Sequence, residues 1–162
     1  MKGSKIIGAA VLGCASLLAC GASLLACGDG GELSGTFVKE YQLSYDRVSI
    51  QRQETGGNPT AMVVEYLRAI PRSKPTQFEK PIKVVVPFPL EAGVTVDLLA
   101  QAGTVEHIAL SGAAFPQLVS GTIVFDTLGN KGEPAAGEFF ATFAGGGTLN
   151  GKFSGTVELA AF

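Results

Sequence analysis

Few residues of this chain could carry out chemistry. His107 is its single histidine, which excludes a zinc site built from several imidazoles. A serine-type triad would need His107 as its base, but no G-x-S-x-G element precedes it. His107 also alternates with Val105 and Ala109 in a predicted strand, which favours a structural or surface histidine.

Carboxylates are the other candidates for catalysis. A glycosidase-type hydrolase needs two carboxyl groups within about 10 Å of each other, and strands can bring distant acids together. Nothing in the spacing of the acids pairs them, and solvated strand faces explain them equally well. We therefore predict no active site, no cofactor and no metal, and keep a carboxylate-based hydrolase as an alternative. Its candidate residues are Glu65, Asp97, Asp126 and Glu158.

All three cysteines lie in the leader, at positions 14, 20 and 27. Lys2 and Lys5 precede an uncharged run from Ile6 to Ala26. A positive start before an apolar run is typical of a secretory signal. The run is about long enough to cross a bilayer. It is only moderately apolar, and no basic stop-transfer cluster follows it, so we predict a cleaved signal rather than a retained helix.

The cysteine contexts carry a specific resemblance. Leu24-Leu25-Ala26-Cys27 resembles the lipobox of bacterial lipoproteins, Leu17-Leu18-Ala19-Cys20 matches it equally well, and Val11-Leu12-Gly13-Cys14 matches more loosely. The resemblance implies that a diacylglyceryl group joins the cysteine thiol, that cleavage occurs before that cysteine, and that the new amino terminus is acylated. Two or more acyl chains hold a protein stably at a membrane. Gly28 (or Gly21) stands where such proteins carry Asp for inner-membrane retention, which implies the outer membrane.

Cleavage before Cys27 removes the other two cysteines and leaves no free thiol. Cleavage before Cys20 gives a more ordinary signal length, but leaves a spare thiol in an oxidising compartment. We rank Cys27 first, Cys20 second and Cys14 last. The predicted organisation is a signal peptide over 1–26, a lipidated cysteine with a flexible tether over 27–35, and a β-rich domain over 36–162.

The charge of the exported part is mildly acidic. Without Lys2 and Lys5, ten basic residues face fourteen acidic ones, which argues against a nucleic-acid partner. No disulfide can form past residue 27. Since there is no Trp, the ten Phe are the main large core candidates.

Short β-branched and aromatic runs with turn residues between them predict eight to ten strands and no helix. Val48 and Ile50 alternate with polar residues, and Thr55–Pro59 predicts the turn of a hairpin. We therefore predict an antiparallel β-sandwich, with a closed β-barrel as the alternative. The series from Gly121 to Leu159 resembles small β domains of surface lipoproteins of unknown function. The clearest predicted strands are Thr36–Tyr45, Arg47–Gln53, Thr60–Ala69, Ile82–Val86, Val94–Leu99, Gly103–Leu110, Leu118–Phe125, Glu138–Ala144 and Thr148–Phe162, with a long turn region over Asp126–Gly137.

Basic residues gather around a proline-rich connection, Pro71–Pro81. They are a candidate patch for an anionic glycolipid or an acidic envelope protein, although a solvated loop explains them more simply. We predict a lipid-anchored cell-envelope protein that acts as a non-catalytic binding or assembly module. The first alternative is a barrel that carries an apolar ligand. The patch comprises Arg68, Arg72, Lys74, Lys80 and Lys83.

Overall fold

The computed structural model describes residues 30–108 and 113–160. Within these two ranges the chain forms nine strands and one short helix, which confirms the all-β prediction. In chain order the elements are β1 (Gly30–Ser34), α1 (Thr36–Glu40), β2 (Arg47–Thr55), β3 (Asn58–Ala69), β4 (Phe78–Pro87), β5 (Thr95–Asp97), β6 (Thr104–Ile108), β7 (Leu118–Leu128), β8 (Pro134–Phe143) and β9 (Thr148–Leu159).

The described strands form a curled sheet, an open half-barrel, in the order β5-β7-β8-β9-β2-β3-β4-β6. One edge of β9 pairs with β8 along its length. The other edge pairs first with β1, which is antiparallel to it, and then with β2, which is parallel. The predicted antiparallel arrangement is therefore wrong at one place, where Ile50 pairs with Val157.

The predicted hairpin is confirmed. β2 and β3 pair in antiparallel register from Arg47↔Leu67 to Thr55↔Asn58. Gly56 and Gly57 connect them with φ values of 60° and 81°, which a two-residue hairpin turn of the primed type requires. Val48 and Ile50 are both buried, as their alternation predicts.

The predicted strand over Thr36–Tyr45 is wrong, because its first half is the helix α1. Here tertiary packing overrides the local β propensity of these residues. The helix places Phe37 in the interior, where its ring stacks on Phe143 at 4.8 Å and tilts against Tyr41 at 4.8 Å. A strand would have separated Phe37 and Tyr41 along the chain, whereas one helical turn brings the two rings together.

The predicted flexible tether over residues 27–35 is also wrong in part, because Gly30–Ser34 is β1. Backbone pairing with β9 needs no side chains, so a glycine-rich segment can join a sheet. Position 31 requires glycine because core side chains lie too close for a Cβ, and not because of its backbone conformation. A Cβ there would lie 2.8 Å from Val48 Cγ2 and 3.0 Å from Tyr66 Cε1.

The predicted turn region Asp126–Gly137 is largely strand. β7 continues to Leu128 and β8 begins at Pro134, so the turn occupies only the residues between them. Position 137 requires glycine, because a Cβ there would collide with the carbonyl oxygen of Val124. The composition that predicts a turn here instead allows two strands to approach closely.

The inner face of the curled sheet holds the core, and Phe125, Phe139 and Phe143 are among its largest fully buried side chains. Phe78 and Phe140, in contrast to the prediction, are exposed. β3 is buried on both faces from Ala61 to Leu67. Met62, Val64 and Tyr66 belong to the core cluster, while Val63 and Leu67 are buried on the other face. In the part of the chain that is described, no helix is long and apolar enough to span a bilayer.

Candidate binding surfaces

His107 has a structural environment. It lies on β6, and its Nδ1–H donates to the carbonyl oxygen of Pro81 at 2.6 Å. Its ring stacks on Phe115 at 5.2 Å and meets the edge of Tyr41 at 5.5 Å. This arrangement agrees with the structural interpretation of His107, because both its polar and its ring contacts are to groups of the fold.

The four candidate carboxylates lie on four different strands: Glu65 on β3, Asp97 on β5, Asp126 on β7 and Glu158 on β9. The Asp97 side chain accepts hydrogen bonds from the N–H groups of the next turn, those of residues 99 and 100, at 2.8 and 3.0 Å. Asp97 therefore acts as a turn cap. Among the residues described, no group of three or more His, Cys, Asp or Glu could hold a metal ion.

Glu65 is the buried charged residue of the described structure, with 3% of its surface exposed. Its Oε1 lies 2.7 Å from Lys80 Nζ, and its Oε2 accepts a hydrogen bond from Gln51 Nε2 at 3.3 Å. A buried carboxylate is tolerated when it is paired and hydrogen-bonded in this way. The arrangement neutralises Glu65 and joins the outer faces of β2, β3 and β4.

Two of the five residues of the predicted basic patch are paired with acidic side chains. Arg68 Nε lies 2.7 Å from Glu79 Oε1, and Lys80 is paired with the buried Glu65 described above. Arg72 and Lys74 are exposed on the loop between β3 and β4. The remaining patch residue, Lys83, is half-buried and is opposite Glu65 in the β3–β4 register. Neutralisation within the fold weakens the patch as an anion-binding site.

A shallow groove crosses the outward faces of β1, β9 and β8. We call it the outer groove. Two adjoining depressions of about 420 and 330 Å³ form it, and both are lined by Glu32 and Lys152. Glu138, Lys152 and Glu32 are side by side in the strand register, with Lys152 Nζ 3.9 Å from Glu32 Oε2. At one end Phe140 is 48% exposed, so the groove combines alternating charge with an aromatic ring.

A second groove, of about 550 Å³, lies beside β5 and the segment that follows β4. Its walls are held together by Gln101, whose Nε2 donates to the carbonyl oxygens of Pro87 and Pro89 at 2.9 and 2.7 Å. Val94, which lines the groove, is 47% exposed. This edge groove offers apolar surface next to a strand that pairs on one side only in the described sheet.

The core phenylalanines pack against other rings. Phe37 and Phe143 stack at 4.8 Å, and Phe125 meets Phe153 edge-on at 5.3 Å. Aromatic pairs at these distances contribute packing energy beyond their buried area. Their close contact favours a packed interior over a phenylalanine-lined cavity.

Two tyrosine hydroxyls fix β1 and β9 to the rest of the sheet. Tyr66 Oη donates to the carbonyl oxygen of Lys152 at 2.7 Å, and Tyr45 Oη donates to that of Gly31. Burial, and next the nearby Tyr45, raises the pKa of Tyr66 well above its usual range. Burial, and next the charge of Glu32, raises the pKa of Tyr45. Both tyrosines therefore remain protonated donors.

Comparison with protein-family models, curated proteins and solved structures finds no match to this chain. The predicted lipidation residues Cys27 and Cys20, with the leader 1–26, lie outside the described residues.

Among the residues of the outer groove, the sequence singled out Asp126 alone, as a candidate carboxylate. One signal was present: Phe139 and Phe140 are adjacent on a strand, so one of the two rings must face outward. The association of Glu32 with Glu138 and Lys152 was not accessible, because it depends on the pairing of β1 with β9, which lies more than a hundred residues later in the chain.

Proposed function

We propose that this chain is a lipid-anchored cell-envelope protein whose β domain is a non-catalytic binding or assembly module. The observation that carries the proposal is the lipobox-like sequence ending at Cys27, three residues before the first described strand. A cysteine that bears acyl chains at this position would attach the folded domain directly to a membrane. The absence of Asp after Cys27 favours the outer membrane.

The surroundings of the reactive side chains support a non-catalytic role. The Asp97 carboxylate caps a turn, Glu65 is neutralised by Lys80, and His107 is bonded to a backbone carbonyl. A hydrolase would need two of the candidate carboxylates to share a cleft, whereas Asp97 and Asp126 line different grooves. The close packing of the core rings likewise gives the carrier alternative less support. For the finer architecture, the continuous strand path from β5 to β6 favours the barrel-like alternative over a two-sheet sandwich.

The anchor can be tested by cysteine substitution. We expect Cys27→Ala to move the protein from the membrane fraction to the soluble fraction, because the acyl chains supply the attachment. If Cys20 substitutes, only the variant that also carries Cys20→Ala will be released. Cys14→Ala is the matched control and should remain with the membrane.

Mass spectrometry of the mature amino-terminal peptide identifies the modified residue. A diacylglyceryl-cysteine at position 27 is the expected result. An unmodified amino-terminal peptide, or a variant lacking all three cysteines that still sediments with membranes, would contradict the proposed function.

A further inference from the structure

β1 is fixed to the sheet from its first described residue. Gly30 pairs with Ser154, whose hydroxyl donates to the Gly30 carbonyl oxygen at 3.3 Å. The next carbonyl, that of Gly31, accepts from Tyr45 Oη. Five consecutive residues pair with β9, so Gly30 already belongs to the folded domain.

Only a short part of the β9 edge lies between the residues that pair with β1 and those that pair with β2. β2 takes over that edge at Val157, three residues beyond the Ser154 that pairs with Gly30. Cys27 is separated from Gly30 by three residue steps, which span at most about 11 Å in any conformation. A lipid on Cys27 therefore lies within that distance of the junction of β1, β2 and β9.

Such a short link keeps the part of the domain around Gly30 close to the membrane. The interfacial zone outside the hydrocarbon core is roughly 5–8 Å thick on each side, so a link of at most about 11 Å keeps Gly30 within or only a few Å beyond the headgroups. The outer groove is the surface next to that point: Gly30 and Gly31 line one of its two depressions. Phe140 lies about 13 Å farther along the strands, four residues beyond Ala136, which is in register with Ser154.

The chemistry of the outer groove suits a zwitterionic headgroup layer. Three carboxylates, those of Glu32, Asp126 and Glu138, and one ammonium, that of Lys152, line its two depressions. This arrangement pairs with both charges of a phosphocholine or phosphoethanolamine, but its excess of negative charge repels anionic lipids. Phe140, 48% exposed, can enter the interface, where aromatic rings are favoured.

We propose that the outer groove lies flat against zwitterionic phospholipid headgroups, held there by the short link between Cys27 and Gly30. This inference rests on the proposed function, because it requires the lipid on Cys27. It assigns an orientation to the domain: β1, β8 and β9 face the bilayer, while the opposite wall, with β4 and β6, faces away.

The orientation can be measured with single cysteine labels on the mature lipidated protein in phosphatidylcholine vesicles. Cleavage before Cys27 and acylation of its thiol leave no other free thiol, so each introduced cysteine is labelled alone. Asn150→Cys reports on the outer groove and Thr104→Cys, exposed on β6, reports on the opposite wall. The readout is fluorescence quenching by lipids that carry a spin label on the headgroup.

We expect the label at position 150 to be quenched at least about threefold more than that at 104, because opposite walls of a packed sheet structure lie about 10 Å or more apart. Equal quenching of the two labels would overturn the proposal. A ten-residue Gly/Ser insertion after Gly28 should equalise them, and a preference that survives this insertion would refute the short link as its cause.

Two further comparisons test the chemistry. Phe140→Ser should reduce the quenching at position 150, while Val119→Ser, which removes a 55% exposed side chain from β7, should not. Replacing phosphatidylcholine by phosphatidylglycerol should also reduce it. Unchanged quenching in both cases would overturn the assigned contact.

The two proposals fail differently. If mass spectrometry finds no lipid on any cysteine, both the proposed function and the proposed orientation are wrong. If the lipid is on Cys20, the protein remains a lipoprotein, but ten residue steps then separate the anchor from Gly30 and the orientation proposal alone is overturned.

Discussion

Tyr66 connects two walls of the curled sheet, and its removal gives a sharp test of the fold. It lies on β3 with no exposed surface, and its hydroxyl donates to the carbonyl oxygen of Lys152 on β9 at 2.7 Å. β2 lies between these strands in the sheet, so the bond crosses the inside of the curl. Its ring also contacts Tyr45 at 5.0 Å and Phe139 at 6.3 Å.

Tyr66→Phe removes the hydroxyl and keeps the ring. At pH 7 the expected loss in the free energy of unfolding is about 1 kcal/mol, the usual net value of a neutral hydrogen bond. The ring contacts should remain, because Phe fills nearly the same volume.

At alkaline pH the difference in stability between the unmodified protein and Tyr66→Phe should disappear. Burial raises the pKa of Tyr66 above the value of about 10 expected in the unfolded chain. The folded state therefore keeps a proton that the unfolded state releases, and stability is fully present below pH 10 and falls above it. At pH 11 this residue should cost the unmodified protein about 1.4 kcal/mol. Phe has no proton to lose, so the two proteins should become equally stable near pH 11.

Urea unfolding of the full-length protein in mild detergent, at pH 7, 9 and 11, measures this difference. Far-ultraviolet circular dichroism is the suitable signal, since the chain has no Trp. Tyr41→Phe is the control for loss of a phenol from a half-buried ring. The reasoning is refuted if Tyr66→Phe remains about 1 kcal/mol less stable at pH 11 as it is at pH 7.

Two other substitutions test close packing and the buried charge, both by urea unfolding. A Cβ at position 151 would lie 2.7 Å from Tyr66 Oη, so Gly151→Ala should cost about 1–3 kcal/mol, whereas Asn150→Ala on the outward face should stay within about 0.5 kcal/mol; equal effects would contradict the packing argument. Lys80→Met leaves Glu65 buried without its cation and should cost about 1–2 kcal/mol. Adding Glu65→Gln should recover part of this loss, and no recovery would show that the ion pair is not its source.

The sequence by itself determined the class of the fold and several of its local features. Alternation at Val48 and Ile50 gave a strand with one buried face, and Gly56-Gly57 gave a hairpin turn, because both depend on neighbouring residues only. The content of phenylalanine indicated what would fill the core. The leader, by its cysteines and its charge, led to the lipoprotein proposal, which stays a prediction.

Only the tertiary structure decided how these strands are used. Whether Thr36–Glu40 is helix or strand depends on the rings that surround Phe37. Whether Gly30–Ser34 is tether or strand depends on β9, more than a hundred residues later in the chain. The neutralisation of Lys80 by Glu65 likewise requires two strands in register. Each of these outcomes rests on contacts between distant segments, and the pattern of residues within a segment does not contain its partner.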